Sequence, residues 1–134
     1  MRYKTVALGI FILLNLTLVK RVSGQNAISN LISTLKIVTR LCYFPKVNSE
    51  KVARGFIGCY DYAPGKWEYF KCQKKVNGYL LDTKDHIEQA ACKRPYRTPS
   101  YIACLMKEFR KSGLDLNKAT AKVNDCQSRV VGVY

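Results

Sequence analysis

Apolar residues in the first part of the chain repeat at steps of three and four, which is the spacing of one face of an α-helix. Between Asn26 and Cys42 these residues are Ile28, Leu31, Ile32, Leu35, Val38 and Leu41. Pro45 breaks the pattern, and Ser49 is a suitable N-cap for a second helix that we expect to end at Pro64–Gly65. The first two helices are therefore predicted to form a hairpin.

More helices are predicted in the rest of the chain, where start signals alternate with stop signals. Residues 66–77 are ambiguous between helix and strand, and we favour a helix. The start signals after this stretch are Asp82, Thr98 as N-cap with Pro99 in the first helical position, and Asp115; the stop signals are Asn77–Gly78, Pro95 and Gly113. No stretch carries a clear β-hairpin signal. The predicted fold is all-α, a bundle of five to six short helices.

The N-terminus has the features of a secretory signal peptide. Arg2 and Lys4 precede an apolar run, residues 6–19, which is shorter than the roughly 20 residues that a membrane span needs. A small residue at Gly24 and a small-to-medium one at Val22 suit signal peptidase. We therefore expect residues 1–24 to be a cleaved signal peptide, residues 25–134 to be a single domain, and the product to be secreted. A retained anchor is the less favoured alternative.

The cysteine count adds a covalent framework to the predicted bundle. All six cysteines lie after residue 24, and an even number in a small exported domain is typical of disulfides; they are Cys42, Cys59, Cys72, Cys92, Cys104 and Cys126. Their wide spacing and a single histidine, His86, do not fit a zinc site. We predict a disulfide-stapled bundle with no metal or other cofactor. Spacing does not determine the pairing, and Cys92–Cys104 is one geometric possibility.

Charge suggests a class of partner. Without residues 1–24 the chain has 19 basic and 9 acidic residues, a formal charge near +10. Outside the cell this charge favours a sulfated glycan, an anionic membrane surface or a protein receptor over nucleic acid. Three clusters are candidate anion-binding sites: Lys71, Lys74 and Lys75; Lys93, Arg94 and Arg97; and Lys107, Arg110 and Lys111. Each cluster taken alone is also typical of the solvated face of a soluble helix.

The stretch CYDYAPGKWEYFKC, residues 59–72, is unusually aromatic. Tyr60 and Tyr69 lie on the predicted inward faces of helices, so we expect most of the stretch to be core. Trp67 lies just after the Pro64–Gly65 turn and is the exception. We predict that Trp67 is exposed and contacts a protein partner or a membrane interface.

No catalytic residues are predicted. His86 is the only candidate general base, and its neighbour Asp85 would diverge from it by about 100 degrees on a helix. Cysteines held in disulfides cannot act as nucleophiles. A surface histidine on a helix is therefore the favoured interpretation, and the protein is expected not to be an enzyme.

Two functions remain in view. The first is a secreted, basic, non-enzymatic effector, of the kind found in saliva, venom or body fluid, that binds an anionic surface, a glycan or a protein receptor. The alternative is an extracellular carrier of small hydrophobic ligands, with a pocket lined by Phe56, Tyr60, Ile102, Met106 and Phe109. A fully packed interior would exclude the carrier.

Overall fold

Every regular element in the described part of the protein is helical. The computed structural model describes residues 25–44 and 46–133. Its α-helices are α1 (Gln25–Tyr43), α2 (Glu50–Gly58), α3 (Lys66–Asn77), α4 (Lys84–Glu88), α5 (Thr98–Ser112) and α6 (Leu116–Val131). The all-α prediction is therefore confirmed for these residues, including the choice of helix over strand for residues 66–77.

Short turns of other helical types connect some of these helices. A 3-10 turn (Cys59–Tyr62) follows α2, a π-helical turn (Gln89–Lys93) continues α4, and a second 3-10 turn (Pro95–Arg97) leads into α5. None of the described helices is both long and apolar enough to cross a bilayer. The predicted signal peptide, residues 1–24, and the predicted break at Pro45 lie outside the described residues.

Helix ends with strong local signals lie where the sequence predicts them. The side chains of Ser49 and Asp115 each accept a hydrogen bond from the backbone N–H three residues on, both at 3.1 Å. Gly78 and Gly113 end α3 and α5 in the left-handed conformation, with φ of 88° and 69°. Each of these four helix ends is therefore determined by the residue that directly precedes or follows the helix.

Three predicted helix ends are wrong. Thr83, not Asp82, caps α4, because the Thr83 hydroxyl accepts the capping bond. Thr98 is the first residue of α5 and not its cap. The 3-10 turn that precedes α5 ends at Arg97, whose backbone dihedral angles are already helical. The second helix ends at Gly58 and not at Pro64–Gly65, because the chain tightens into a 3-10 turn from Cys59.

The longest helices pack in two pairs. Asn30 of α1 donates to the Asn117 carbonyl of α6 at 3.1 Å, and Arg40 of α1 donates to the Val131 carbonyl at 3.2 Å, so α1 and α6 run parallel. In contrast, α3 and α5 are antiparallel, as shown by the Ser112–Glu68 hydrogen bond at 2.9 Å. The main partner of α1 is therefore α6, whereas the sequence predicts a hairpin of α1 with α2.

Three disulfides join the helices, as predicted. They are Cys42–Cys92, Cys59–Cys126 and Cys72–Cys104. The Cys92–Cys104 pair suggested by the sequence does not form, because Cys92 lies in the π turn against α1 whereas Cys104 lies on the face of α5 that packs on α3. Each bridge links two cysteines that are at least 32 residues apart in sequence.

Large aromatic side chains fill the space between α3, α5 and the first 3-10 turn. Tyr69 packs against Tyr60 and Phe109, with ring centroids 4.9 and 5.3 Å apart. Gly65 has a φ of 89°, and a Cβ atom there would lie 2.2 Å from Cζ of Phe109. This region, the aromatic core (Tyr60, Gly65, Tyr69 and Phe109), therefore has no unfilled space next to Gly65.

Candidate functional site

A cavity of about 250 Å³, partly open to solvent, lies between α1, α4, α5 and α6. It borders the aromatic core, since Tyr60 and Tyr69 form part of its wall. An engineered apolar cavity of roughly 150 Å³ is large enough to bind benzene. This cavity therefore has room for a larger molecule, of about ten non-hydrogen atoms by simple proportion.

One part of the cavity wall is aliphatic. Ile37 and Leu41 of α1, Ile87 of α4 and Leu105 of α5 are each at most 5 % exposed and line the cavity. Ala90, in the π turn, lines the same space with a small side chain. These residues provide an apolar surface and no group that could hold an ion.

Another part of the wall is polar but uncharged. Asn124 Nδ2 of α6 donates to the Asn30 carbonyl and to Thr34 Oγ1 of α1, both at 3.1 Å. Asn117 and Thr120, also on α6, line the cavity too; Asn117 lies three residues before Thr120, and Thr120 lies four residues before Asn124. These five residues form the amide end of the cavity, near the N-terminal half of α1.

Three tyrosines, Tyr60, Tyr69 and Tyr101, also line the cavity. Tyr69 Oη and Thr120 Oγ1 are 2.7 Å apart, and Gln73 Nε2 donates to Tyr101 Oη at 3.3 Å. Burial raises the pKa values of Tyr60, Tyr69 and Tyr101, more than their hydrogen bonds lower them. All three hydroxyls therefore stay protonated at neutral pH and add no charge to the cavity.

Some of the pocket residues suggested by the sequence do line the cavity. Phe56, Tyr60 and Ile102 are in its wall. Met106 and Phe109 are not, which corrects that part of the expectation. Phe109 is instead enclosed in the aromatic core, where its ring lies against Gly65.

The predicted basic clusters meet at a second, open depression between α3 and α5. Lys75 from the first cluster, Arg97 from the second and Lys107 from the third line this depression, which measures about 420 Å³. Its other walls are Val76, Ser100, Ala103 and Cys104, and none of its lining residues is acidic. We call this feature, defined by Lys75, Arg97 and Lys107, the basic cleft.

The other predicted basic residues lie outside the lining of the basic cleft. Lys71 is paired with Glu108, with Nζ 3.1 Å from Oε2, and this hydrogen bond, assisted by the nearby lysines, lowers the pKa of Glu108. The remaining five are exposed: Lys74, Lys93, Arg94, Arg110 and Lys111. One acidic side chain thus offsets part of the positive charge beside the basic cleft.

Trp67 lies on the surface of the protein, as the sequence predicts. It is 72 % exposed and contacts the edge of Phe70, with ring centroids 6.0 Å apart. Lys66 Nζ lies 5.2 Å from the Trp67 ring, and Tyr62 nearby in sequence is 77 % exposed. The Trp67 side chain is therefore free to contact a partner, and that role remains a prediction.

His86 has a different acidic neighbour from the one considered in the sequence. Its Nδ1 is 2.9 Å from Asp82 Oδ1, one turn earlier, and its ring stacks on Tyr79 at 4.1 Å. The pair lies at the protein surface and does not line the cavity. No group of three metal-binding side chains occurs among the described residues.

Comparisons with protein-family models, with curated proteins and with solved structures find no match to this chain. Function is therefore inferred from the cavity and the basic cleft.

Proposed function

We propose that this protein is an extracellular carrier of small, largely apolar molecules, which it binds in the interior cavity. The observation that carries this proposal is the size and the mostly apolar lining of the cavity. Protein interiors are normally packed as tightly as organic crystals, whereas here a space of about 250 Å³, partly open to solvent, reaches between the helices. Binding sites for small molecules are typically concave and mostly apolar, with a few polar groups in fixed positions.

Three disulfides support the extracellular part of the proposal. Such bonds persist in oxidising compartments and are rare in the cytosol. They also suit a carrier physically, because a hollow domain gives up packing energy and each bridge contributes about 2 to 4 kcal/mol of stability. The covalent framework thus offsets the loss caused by the cavity.

Calorimetric titration with n-butylbenzene, which has about ten non-hydrogen atoms, tests the carrier. We expect saturable binding with a negative heat-capacity change, because apolar surface leaves water. Ala90→Leu places a larger side chain in the cavity and should abolish the signal. Ala121→Leu is the matched control, because Ala121 is exposed on α6 and does not line the cavity. Absence of binding to the unmodified protein, or equal binding by the two variants, would refute the carrier.

A second candidate function is binding of an anionic partner at the basic cleft. The observation in its favour is that one residue from each predicted basic cluster lines the same depression. Converging cations favour a polyanion such as a sulfated glycan, through contacts that weaken as salt rises. Trp67 provides an exposed aromatic side chain that could contribute to binding a protein receptor or membrane interface.

Retention on immobilised heparin tests this second candidate. The triple variant K75E/R97E/K107E should elute at a much lower salt concentration than the unmodified protein. The control K51E/K118E/K122E changes the net charge equally at exposed residues outside the cleft, and it should elute later than the cleft variant. Identical elution of the two variants would show that only net charge matters and would remove the cleft from the account.

A further inference from the structure

The described residues that line the cavity include no charged side chain, although the protein is strongly basic. The chain has 23 Lys and Arg residues and 9 Asp and Glu residues, yet none of the described residues lining the cavity is ionisable near neutral pH. An ion placed in such a site would lose its hydration and gain no opposite charge. The lining therefore opposes carboxylates and ammonium ions alike.

The amide end offers a hydrogen-bond acceptor to a ligand. The Asn30 oxygen is a backbone carbonyl that can only accept, so the side of the Asn124 amide that faces it must be the nitrogen. The same nitrogen also donates to Thr34 Oγ1, whose own hydrogen is donated to the Asn30 carbonyl at 2.8 Å. The two acceptors are themselves 2.8 Å apart, so both lie on the nitrogen side of the Asn124 amide, and no described side chain donates to its oxygen, Oδ1.

The same end also offers a donor. Tyr69 and Thr120 share one hydrogen bond at 2.7 Å, which uses only one of their two hydroxyl hydrogens. A ligand hydroxyl can therefore donate to Asn124 Oδ1 and accept from this pair. The aliphatic wall at Ile37 and Ile87 suits the rest of such a ligand.

We propose that the cavity selects uncharged ligands of about ten non-hydrogen atoms that carry one hydroxyl group, bound at the amide end, and an apolar remainder. This inference rests on the carrier function proposed above and adds the chemical class of the cargo. Fatty acids are disfavoured, because they are almost fully ionised at neutral pH. An alkyl carboxylic acid has about the acidity of the Glu side chain, so fewer than about one molecule in 100 is neutral at that pH.

Three ligands of similar size test the selectivity by calorimetric titration: nonanol, its isomer methyl octyl ether, and octanoate. Nonanol should bind with an affinity about 100-fold or more above that of octanoate near pH 7. Octanoate binding should strengthen by roughly tenfold for each pH unit of acidification, because only its neutral form enters. Octanoate binding as tight as that of nonanol near pH 7 would overturn the inference.

The variant Asn124→Leu tests the amide end itself. In the unmodified protein nonanol should bind more tightly than methyl octyl ether, because only nonanol has a hydroxyl group that can donate. In the variant the ratio of the two affinities should fall by about threefold or more, which is the effect expected from the loss of one hydrogen bond. The comparison of two isomers cancels effects on cavity size. An unchanged ratio would exclude Asn124 as the hydroxyl's partner.

Two controls keep these outcomes distinct. Binding of n-butylbenzene by Asn124→Leu shows that the variant is folded and that its cavity is intact. Where that variant does not fold, the double variant Tyr69→Phe/Thr120→Val removes both hydroxyls of the proposed donor pair with little change of shape, and it should reduce the same nonanol-to-ether ratio. Failure of n-butylbenzene to bind the unmodified protein would refute the carrier, whereas its binding together with equally tight octanoate would refute only the selectivity.

Discussion

The aromatic core and the cavity share a wall but differ in how completely they are filled. Around Gly65 there is no room for even one further carbon atom, because Phe109 occupies the space that a Cβ would need. A few residues away, Tyr60 and Tyr69 turn toward a space of about 250 Å³. Both regions belong to the same small domain, so poor packing of the domain as a whole does not account for the cavity. The cavity is instead a feature of the fold that suits binding.

The largest effect that we predict is at Gly65. The variant Gly65→Ala combines a left-handed backbone with a clash against Phe109, so it should lower the free energy of unfolding by several kcal/mol, about 3 or more. Gly78→Ala is the matched control, since its φ of 88° is almost the same but no atom lies within 4 Å. It should cost only about 1 kcal/mol. Urea unfolding measures both values, and equal losses would show that the aromatic core is not tightly packed.

The next effect is the response to alkaline pH. The buried tyrosines Tyr60, Tyr69 and Tyr101 have raised pKa values in the folded protein, so above about pH 10 they ionise more readily in the unfolded chain. The unfolded state then binds fewer protons, and stability falls as pH rises. We expect a loss of about 1.4 kcal/mol per pH unit for each tyrosine, with no such loss below the pKa of the unfolded chain.

Tyr69→Phe sharpens this pH prediction. The variant removes one group with a raised pKa, so above about pH 10 its stability should fall less steeply than that of the unmodified protein, by about 1.4 kcal/mol per pH unit. Urea unfolding at a series of alkaline pH values gives both slopes. Identical slopes would show that Tyr69 ionises as readily in the folded protein as in the unfolded chain.

The smallest effect on stability is expected in the cavity. Ala90→Leu adds its carbon atoms to the cavity, so it should change the free energy of unfolding by less than about 1 kcal/mol, although we expect it to abolish the binding of n-butylbenzene. Ala121→Leu serves again as the exposed control. A loss of several kcal/mol in Ala90→Leu, like that expected in Gly65→Ala, would show that the two regions are packed alike.

Local signals account for the part of the fold that the sequence predicts. Ser49, Asp115, Gly78 and Gly113 act within one turn of the helix end that they define, so their roles can be inferred without any long-range information. Asp82 illustrates the limit of such signals. The neighbouring Thr83 competes for the same capping position and occupies it, while the Asp82 carboxylate bonds His86.

Long-range features could not be predicted in the same way. The pairing of Cys42 with Cys92 depends on how α1 meets the π turn, and periodicity carries no information on that contact. The basic cleft likewise requires α3 and α5 to be antiparallel. One feature of the sequence does indicate the amide end. The polar residues Asn117, Thr120 and Asn124 recur at helical spacing next to Ala119 and Val123 on the buried face of α6, and this pattern could have been used to predict a polar lining.

The central claim is that the interior cavity receives a small ligand, and crystallography with bromooctanol tests it most directly. This ligand has about the size expected for the cavity, and bromine gives an anomalous signal that locates one end of the molecule. We predict a bromine peak against the aliphatic wall, near Ile37 and Ile87, with the hydroxyl within hydrogen-bonding distance of Asn124 Oδ1. Bromine peaks confined to the protein surface, with the cavity empty, would contradict the account.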